Sequence, residues 1–175
     1  MSKIQDVAKL AGILRGATIA AMVALPIAII GGLLATPLTP ELYMDTVAAS
    51  PETSTAQLIA VVALNLISPF ILLLTLNEMR ILFEAYQRGE VLTDRSAKLI
   101  QRIGQGFLAL AIIPFVLRPI QSVLLTWNNP PGGRSLAIGL DSDMLFFALS
   151  GGLIIVIGWA MREASVVASE NKAFV

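Results

Sequence analysis

Four stretches of this chain are apolar for about the length of helix that crosses a bilayer, and that constrains the fold more than any single residue does. About 30 Å of hydrocarbon takes roughly 20 helical residues. Gly16 to Ala35, Thr53 to Leu76 and Met144 to Met161 carry no charge, and Ile103 to Trp127 carries only Arg118. The runs are continuously apolar rather than alternating, which selects helices over a barrel. With 56% hydrophobic and 14% charged residues in 175, the expectation is one all-α domain, a four-helix transmembrane bundle with short cytoplasmic helical extensions. The spans are placed at about 16–35, 55–76, 100–122 and 144–161, with a cytoplasmic helical hairpin at about 77–102.

Basic residues give the orientation. Lys3, Lys9 and Arg15 precede span one, Arg80, Arg88, Arg95, Lys98 and Arg102 lie between spans two and three, and Arg162 and Lys172 follow span four. The other two connections keep Arg134 and the acids Glu41, Asp45, Glu52, Asp141 and Asp143. Both termini are therefore expected in the cytoplasm. The length of the first run and its ending in Leu33, Leu34 and Ala35 favour a retained span over a cleaved signal. A formal net charge of zero and no basic face leave nothing to hold nucleic acid.

The chain has neither His nor Cys. The usual ligands for zinc, copper and haem, and the Ser-His and Cys-His catalytic pairs, are missing. No carboxylate or lysine stands inside a span, so intramembrane aspartyl or Ser-Lys chemistry has no residues to use. The outer carboxylates match no calcium loop. The expectation is a protein without catalysis, metal or cofactor.

Each run carries a helix-weakening residue near its middle: Pro26, Pro69, Pro114 and Gly151-Gly152. Freed backbone at one membrane depth is where transporters bind ligands and where ordinary bundles kink. Proline at position 69 removes the donor for the Asn65 carbonyl, with Ser68 beside it. Asn65, Ser68, Pro69 and Arg118 are thus the candidate midplane polar site. Asn65 either binds a solute or hydrogen-bonds a neighbouring helix. Arg118 has two placements. Either it is buried about 10 Å below Leu125, or span three has already crossed and Pro119 turns Ile120 to Trp127 along the outer surface.

Span one carries small residues at strict intervals of four. Ala8 leads into Gly12, Gly16, Ala20, Ala24, Ala28 and Gly32, a ridge on which another helix can pack closely. The partner is either span four, through Ala148, Gly152 and Ala160, or another chain. Before it, Ser2 and Gln5 read as a capping box, and Ile4, Val7, Ala8, Ala11 and Leu14 predict a short amphipathic lead-in along the inner surface.

On the cytoplasmic side Arg80, Glu84 and Arg88 stand at i,i+4 spacing, Gly89 stops the helix, and Thr93 with Asp94 begins the next. Phe83, Tyr86, Gly89, Val91, Leu92, Thr93, Leu99 and Ile103-Gly104, with Met161-Arg162-Glu163-Ala164, Glu170-Asn171 and Phe174-Val175, resemble a family of bacterial four-span inner-membrane proteins, the domain of unknown function numbered twenty-nine seventy-five. Leu92 departs from the aromatic residue more usual there. The resemblance covers essentially the whole chain and implies the same four-span topology, a bacterial inner membrane and no activity. It also implies an accessory or regulatory role, and a tail from Glu170 to Val175 that folds back near Gly89 to Thr93. The expected partners are the lipid bilayer and a membrane or cytoplasmic protein, which can be a second copy of the chain. A subunit of a small-solute transporter or channel is the alternative function.

Overall fold

Helix fills almost all of the chain that can be described. The structure, a computed structural model, describes residues 2–35 and 53–173, with side chains for 6–35 and 53–167. In chain order the elements are α1 (Ser2–Ala35), α2 (Thr55–Asn65), α3 (Ile67–Gln87), α4 (Asp94–Thr126) and α5 (Ser142–Ala173). No strand occurs among the described residues. Four helices are long and apolar enough to cross a membrane, α2 and α3 together making the second. This is the architecture of a multi-pass membrane protein.

Local chemistry sets the helix ends. The Gln57 N–H donates to Ser54 Oγ and the Ser54 N–H donates to Gln57 Oε1, closing a capping box at the start of α2. At the other end of the hairpin α3 closes on Gly89, whose φ of +81° suits a residue without a Cβ. The Gly89 N–H donates to the Tyr86 carbonyl and the Glu90 N–H to the Ala85 carbonyl, the bond pair of a Schellman motif. Thr93 then caps α4 by accepting the Ser96 N–H.

Three of the four midspan weak points do not break their helices. Pro26 lies inside an unbroken α1, Pro114 inside α4, and Gly151-Gly152 inside α5. Only span two divides, at Leu66, three residues before Pro69. The Leu66 N–H reaches the Val62 and Ala63 carbonyls and the Phe70 N–H reaches the Leu66 carbonyl. Pro69, in the first turn of α3, falls where a missing donor costs little. Pro119 does not turn the chain either. α4 runs through it to Thr126, so the segment expected on the outer surface continues the helix. The lead-in before span one is likewise no separate helix, since α1 is continuous from Ser2. Its capping box lies outside the described side chains.

Neighbours in sequence pack side by side: α1 on α3, α3 on α4, α4 on α5, and α2 on the far end of α4. One apolar cluster joins Leu82, Leu99, Ile100 and Ile103, and another joins Leu58, Val61 and Leu125 at the opposite end. The first three of these pairs also have an ion pair at the end rich in Lys and Arg, the basic end. These are Arg15–Glu84 (3.4 Å) for α1 and α3, Glu78–Arg102 (3.6 Å) for α3 and α4, and Asp94–Arg162 (3.2 Å) for α4 and α5.

Between α4 and α5 the backbones approach closely, and the approach uses glycine. A Cβ on Gly104 would stand 2.8 Å from the Gly151 carbonyl oxygen, and one on Gly158 3.2 Å from the Ala97 carbonyl. Ala97, Gly104 and Ala111 on one helix and Met144, Gly151, Gly158 and Ser165 on the other are all buried, each set spaced by seven. A seven-residue repeat drifts only about 20° around a helix per step, so it keeps facing one antiparallel neighbour.

Candidate functional site

The four residues of the sequence-derived polar site do not converge. The Asn65 side-chain oxygen accepts from Gln121 Nε2 at 3.1 Å across the α2–α4 contact. Of the two readings of Asn65, this is the helix–helix hydrogen bond. Ser68 and Pro69 face instead into a cleft of ≈ 360 Å³, with Leu25, Pro114, Met144 and Phe147 among its walls and Asp141 and Asp143 at its margin. Asn65 and Arg118 do not line it.

Arg118 meets Asp141 at 2.9 Å, and its guanidinium lies beside Gly139. The charge is paired by the residue that immediately precedes α5. Both earlier placements of Arg118 are therefore modified: the helix does not end there, and the arginine is not alone.

A polar belt on the last three turns of α4 gathers more than the sequence suggested. Gln121, Ser122 and Thr126 are buried in an otherwise apolar run. Gln57 Nε2 donates to the Leu124 carbonyl at 3.1 Å, and Asn128 Nδ2 donates to Gln57 Oε1. Ser122 Oγ accepts the Ala137 N–H at 3.0 Å, and Thr126 Oγ1 accepts the Ser135 N–H at 3.3 Å. The belt is a set of mutually satisfied groups holding α2, α4 and the connection after it together. The signal for it was present: Arg118, Ser122 and Thr126 recur at i, i+4 and i+8, and so share one side of the helix.

The small-residue ridge of α1 has a different fate. Gly12 packs against α3, where a Cβ would meet the Gln87 amide nitrogen at 2.9 Å. From Gly16 to Ala28 the described residues leave the ridge open: Gly16 has no atom within 4 Å of an added Cβ, and Ala20, Ala24 and Ala28 are exposed. A repeat of four advances about 40° around the helix per step. Between Gly12 and Gly32 it therefore winds away from α3. The suggested partners on span four, Gly152 and Ala160, face outward as well.

At the basic end, Glu84 is held by Arg15, Arg80 and Arg88 together, and Arg15 also donates to Gln87 Oε1. Asp94 binds Lys98 at 2.6 Å as well as Arg162. The hydrogen bond from Lys98 holds the Asp94 carboxyl below its ordinary range, and the Arg162 guanidinium adds to this. Phe83 and Thr93 belong to this hairpin. The Glu170 side chain, Phe174 and Val175 lie outside the described residues, and so does the proposed return of the tail. Among the described residues no three acids gather at a spacing that could hold a metal ion.

Comparison with known proteins gives no match to a family model, a curated protein or a solved structure.

Proposed function

We propose that this protein is a non-enzymatic, accessory or regulatory membrane protein that engages a membrane partner, or a second copy of itself, through α1. The observation that carries this is the exposed ridge from Gly16 to Ala28, on a helix whose main packing among the described residues is against α3. Small residues at such a surface allow backbones to approach, as the seam between α4 and α5 does inside the chain. The charged hairpin of α3 and α4 is a second surface for the same partner, on the cytoplasmic side by the distribution of Lys and Arg. The resemblance noted from the hairpin and tail residues supports a bacterial inner membrane and a regulatory setting.

The test is association in the membrane. Gly16 has nothing within 4 Å of an added Cβ and Ala20 is exposed, so Gly16→Leu and Ala20→Leu alter the outer surface of α1. Capture from native membranes in mild detergent, and cross-linking of tagged copies, are expected to fall at least tenfold while membrane insertion is unchanged. Undiminished capture and cross-linking would refute the α1 surface.

The cleft between α1 and α5 supports the second reading, a subunit of a small-solute transporter or channel, because Ser68 and Pro69 open into it. Two of the four expected residues are committed elsewhere: Asn65 to Gln121 and Arg118 to Asp141. Solute flux into vesicles that is lost in Ser68→Val would favour this reading over the first.

A further inference from the structure

We propose that the extended connection from Ser135 to Asp141 lies within the hydrocarbon of the leaflet opposite the basic end, with Leu136, Ile138 and Leu140 against lipid acyl chains. It is a non-helical strap that completes the transmembrane surface beyond the point where α5 begins. The inference rests on the membrane fold and is independent of the partner proposed for α1.

Depth is the first support. Arg102, paired to Glu78, is the charged residue of the basic end that stands furthest along α4, and is taken as the basic boundary. From there to Arg118 the helix rises about 24 Å, short of the roughly 30 Å of hydrocarbon. Arg118 is bound to Asp141, immediately before α5 begins at Ser142. The α5 helix therefore starts about one turn below the opposite boundary. Its neighbour α4 continues to Thr126, and the strap runs along that extra length.

Geometry is the second. Four helical residues advance about 6 Å and two extended residues about 6.6 Å, so every second residue of a strand can track every fourth residue of a helix. Thr126 and Ser122 accept the N–H groups of Ser135 and Ala137, and Gly139 lies beside Arg118. Both hydroxyl residues are fully buried. Non-helical backbone survives at membrane depth where protein groups satisfy it, and the belt on α4 satisfies these two amides.

The outward face is the third. Leu136, Ile138 and Leu140 alternate with the inward residues and are 60%, 64% and 81% exposed. Leu136 joins Pro119, Ile120, Val123 and Trp127 in a wholly apolar surface of α4. That surface continues the lipid-facing side of a spanning helix, and three large aliphatic side chains in a row are costly to leave in water.

Because the chain has no cysteine, single spin labels can be placed without background. Leu136→Cys, Ile138→Cys and Leu140→Cys are labelled in the full chain reconstituted in phospholipid vesicles, with Ile112→Cys in mid-α4 and Pro131→Cys in the preceding turn as references. Power saturation then compares oxygen, which concentrates in lipid, with a water-soluble nickel chelate. The strap positions should resemble position 112, with oxygen accessibility several-fold above that of nickel. Nickel accessibility like that of position 131 would overturn the proposal in favour of an aqueous loop. Exclusion of both reagents would overturn it in favour of a protein-covered face. Three positions are read so that failure of one variant to fold leaves the result standing.

Discussion

Gly104 of α4 and Gly151 of α5 face each other so closely that a Cβ on either would stand 2.8 Å from the other's carbonyl oxygen. Gly104→Ala also meets the Ile155 backbone nitrogen at 2.9 Å, so relief requires the helices to separate. A loss of about 1–3 kcal/mol is expected, as for overpacking elsewhere. Gly152→Ala, one residue away with nothing within 4 Å, should be neutral or stabilising by up to about 1 kcal/mol. Unfolding of the two variants in mixed micelles by denaturing detergent measures the contrast.

Asn65 and Gln121 should couple. Their hydrogen bond at 3.1 Å joins α2 to α4, and such bonds in membranes average about 0.6 kcal/mol with a maximum near 1.7. A double-mutant cycle with Asn65→Leu and Gln121→Leu should return a coupling in that range. A value indistinguishable from zero would mean the two side chains act separately.

Ser122→Ala removes the acceptor for the Ala137 N–H. An unsatisfied buried donor costs about 1–3 kcal/mol, and here the strap can release instead of the helices. Hydrogen exchange should accelerate at 135–139 and stay unchanged in the seam between α4 and α5. Equal acceleration in both would show that the strap is not a separate unit.

The clasp between Asp94 and Arg162 should weaken in acid. The Asp94 carboxyl is held below its ordinary value of 3.8, first by its hydrogen bond from Lys98. A depressed carboxyl contributes stability above its unfolded pKa and loses it as pH falls through the folded one. Separation of labels at the basic ends of α4 and α5 should increase only below about pH 4. Asp94→Asn should show the wider separation at every pH.

Gly89→Ala places a Cβ on a residue with φ of +81°, at a cost of about 1–2 kcal/mol. Nothing lies within 4 Å of that position, so the loss is conformational alone. Gly16→Ala, equally open but helical, is the matched control and should lose nothing by thermal melting.

Much of the frame was legible because its signals are local. The four spans follow from run length against bilayer thickness, and the hairpin turn follows from Gly89 and Thr93, whose effects act within a few residues. Proline was less legible. Pro26, Pro114 and Pro119 remove hydrogen bonds without breaking their helices, and only near Pro69 does the chain divide. Whether a missing bond becomes a break depends on what packs around it.

The candidate site was legible as residue types but not as partnerships. Arg118 was singled out for its charge, whereas Asp141, which neutralises it, lies 23 residues further along the chain. Gln121, Ser122 and Thr126 carry no charge to set them apart inside an apolar run, although their hydroxyl and amide groups are the ones that α2 and the strap engage.

The sequence by itself determined that this chain is a four-span helical membrane protein, because hydrocarbon admits only long apolar segments that satisfy their own backbones. Only the tertiary structure decided which small residues pack. The ridge on α1 repeats every four residues and winds away from its neighbour, whereas Gly104, Gly151 and Gly158 belong to seven-residue repeats that stay in line with theirs. Composition ranks the first pattern higher, and rotation about the helix axis favours the second.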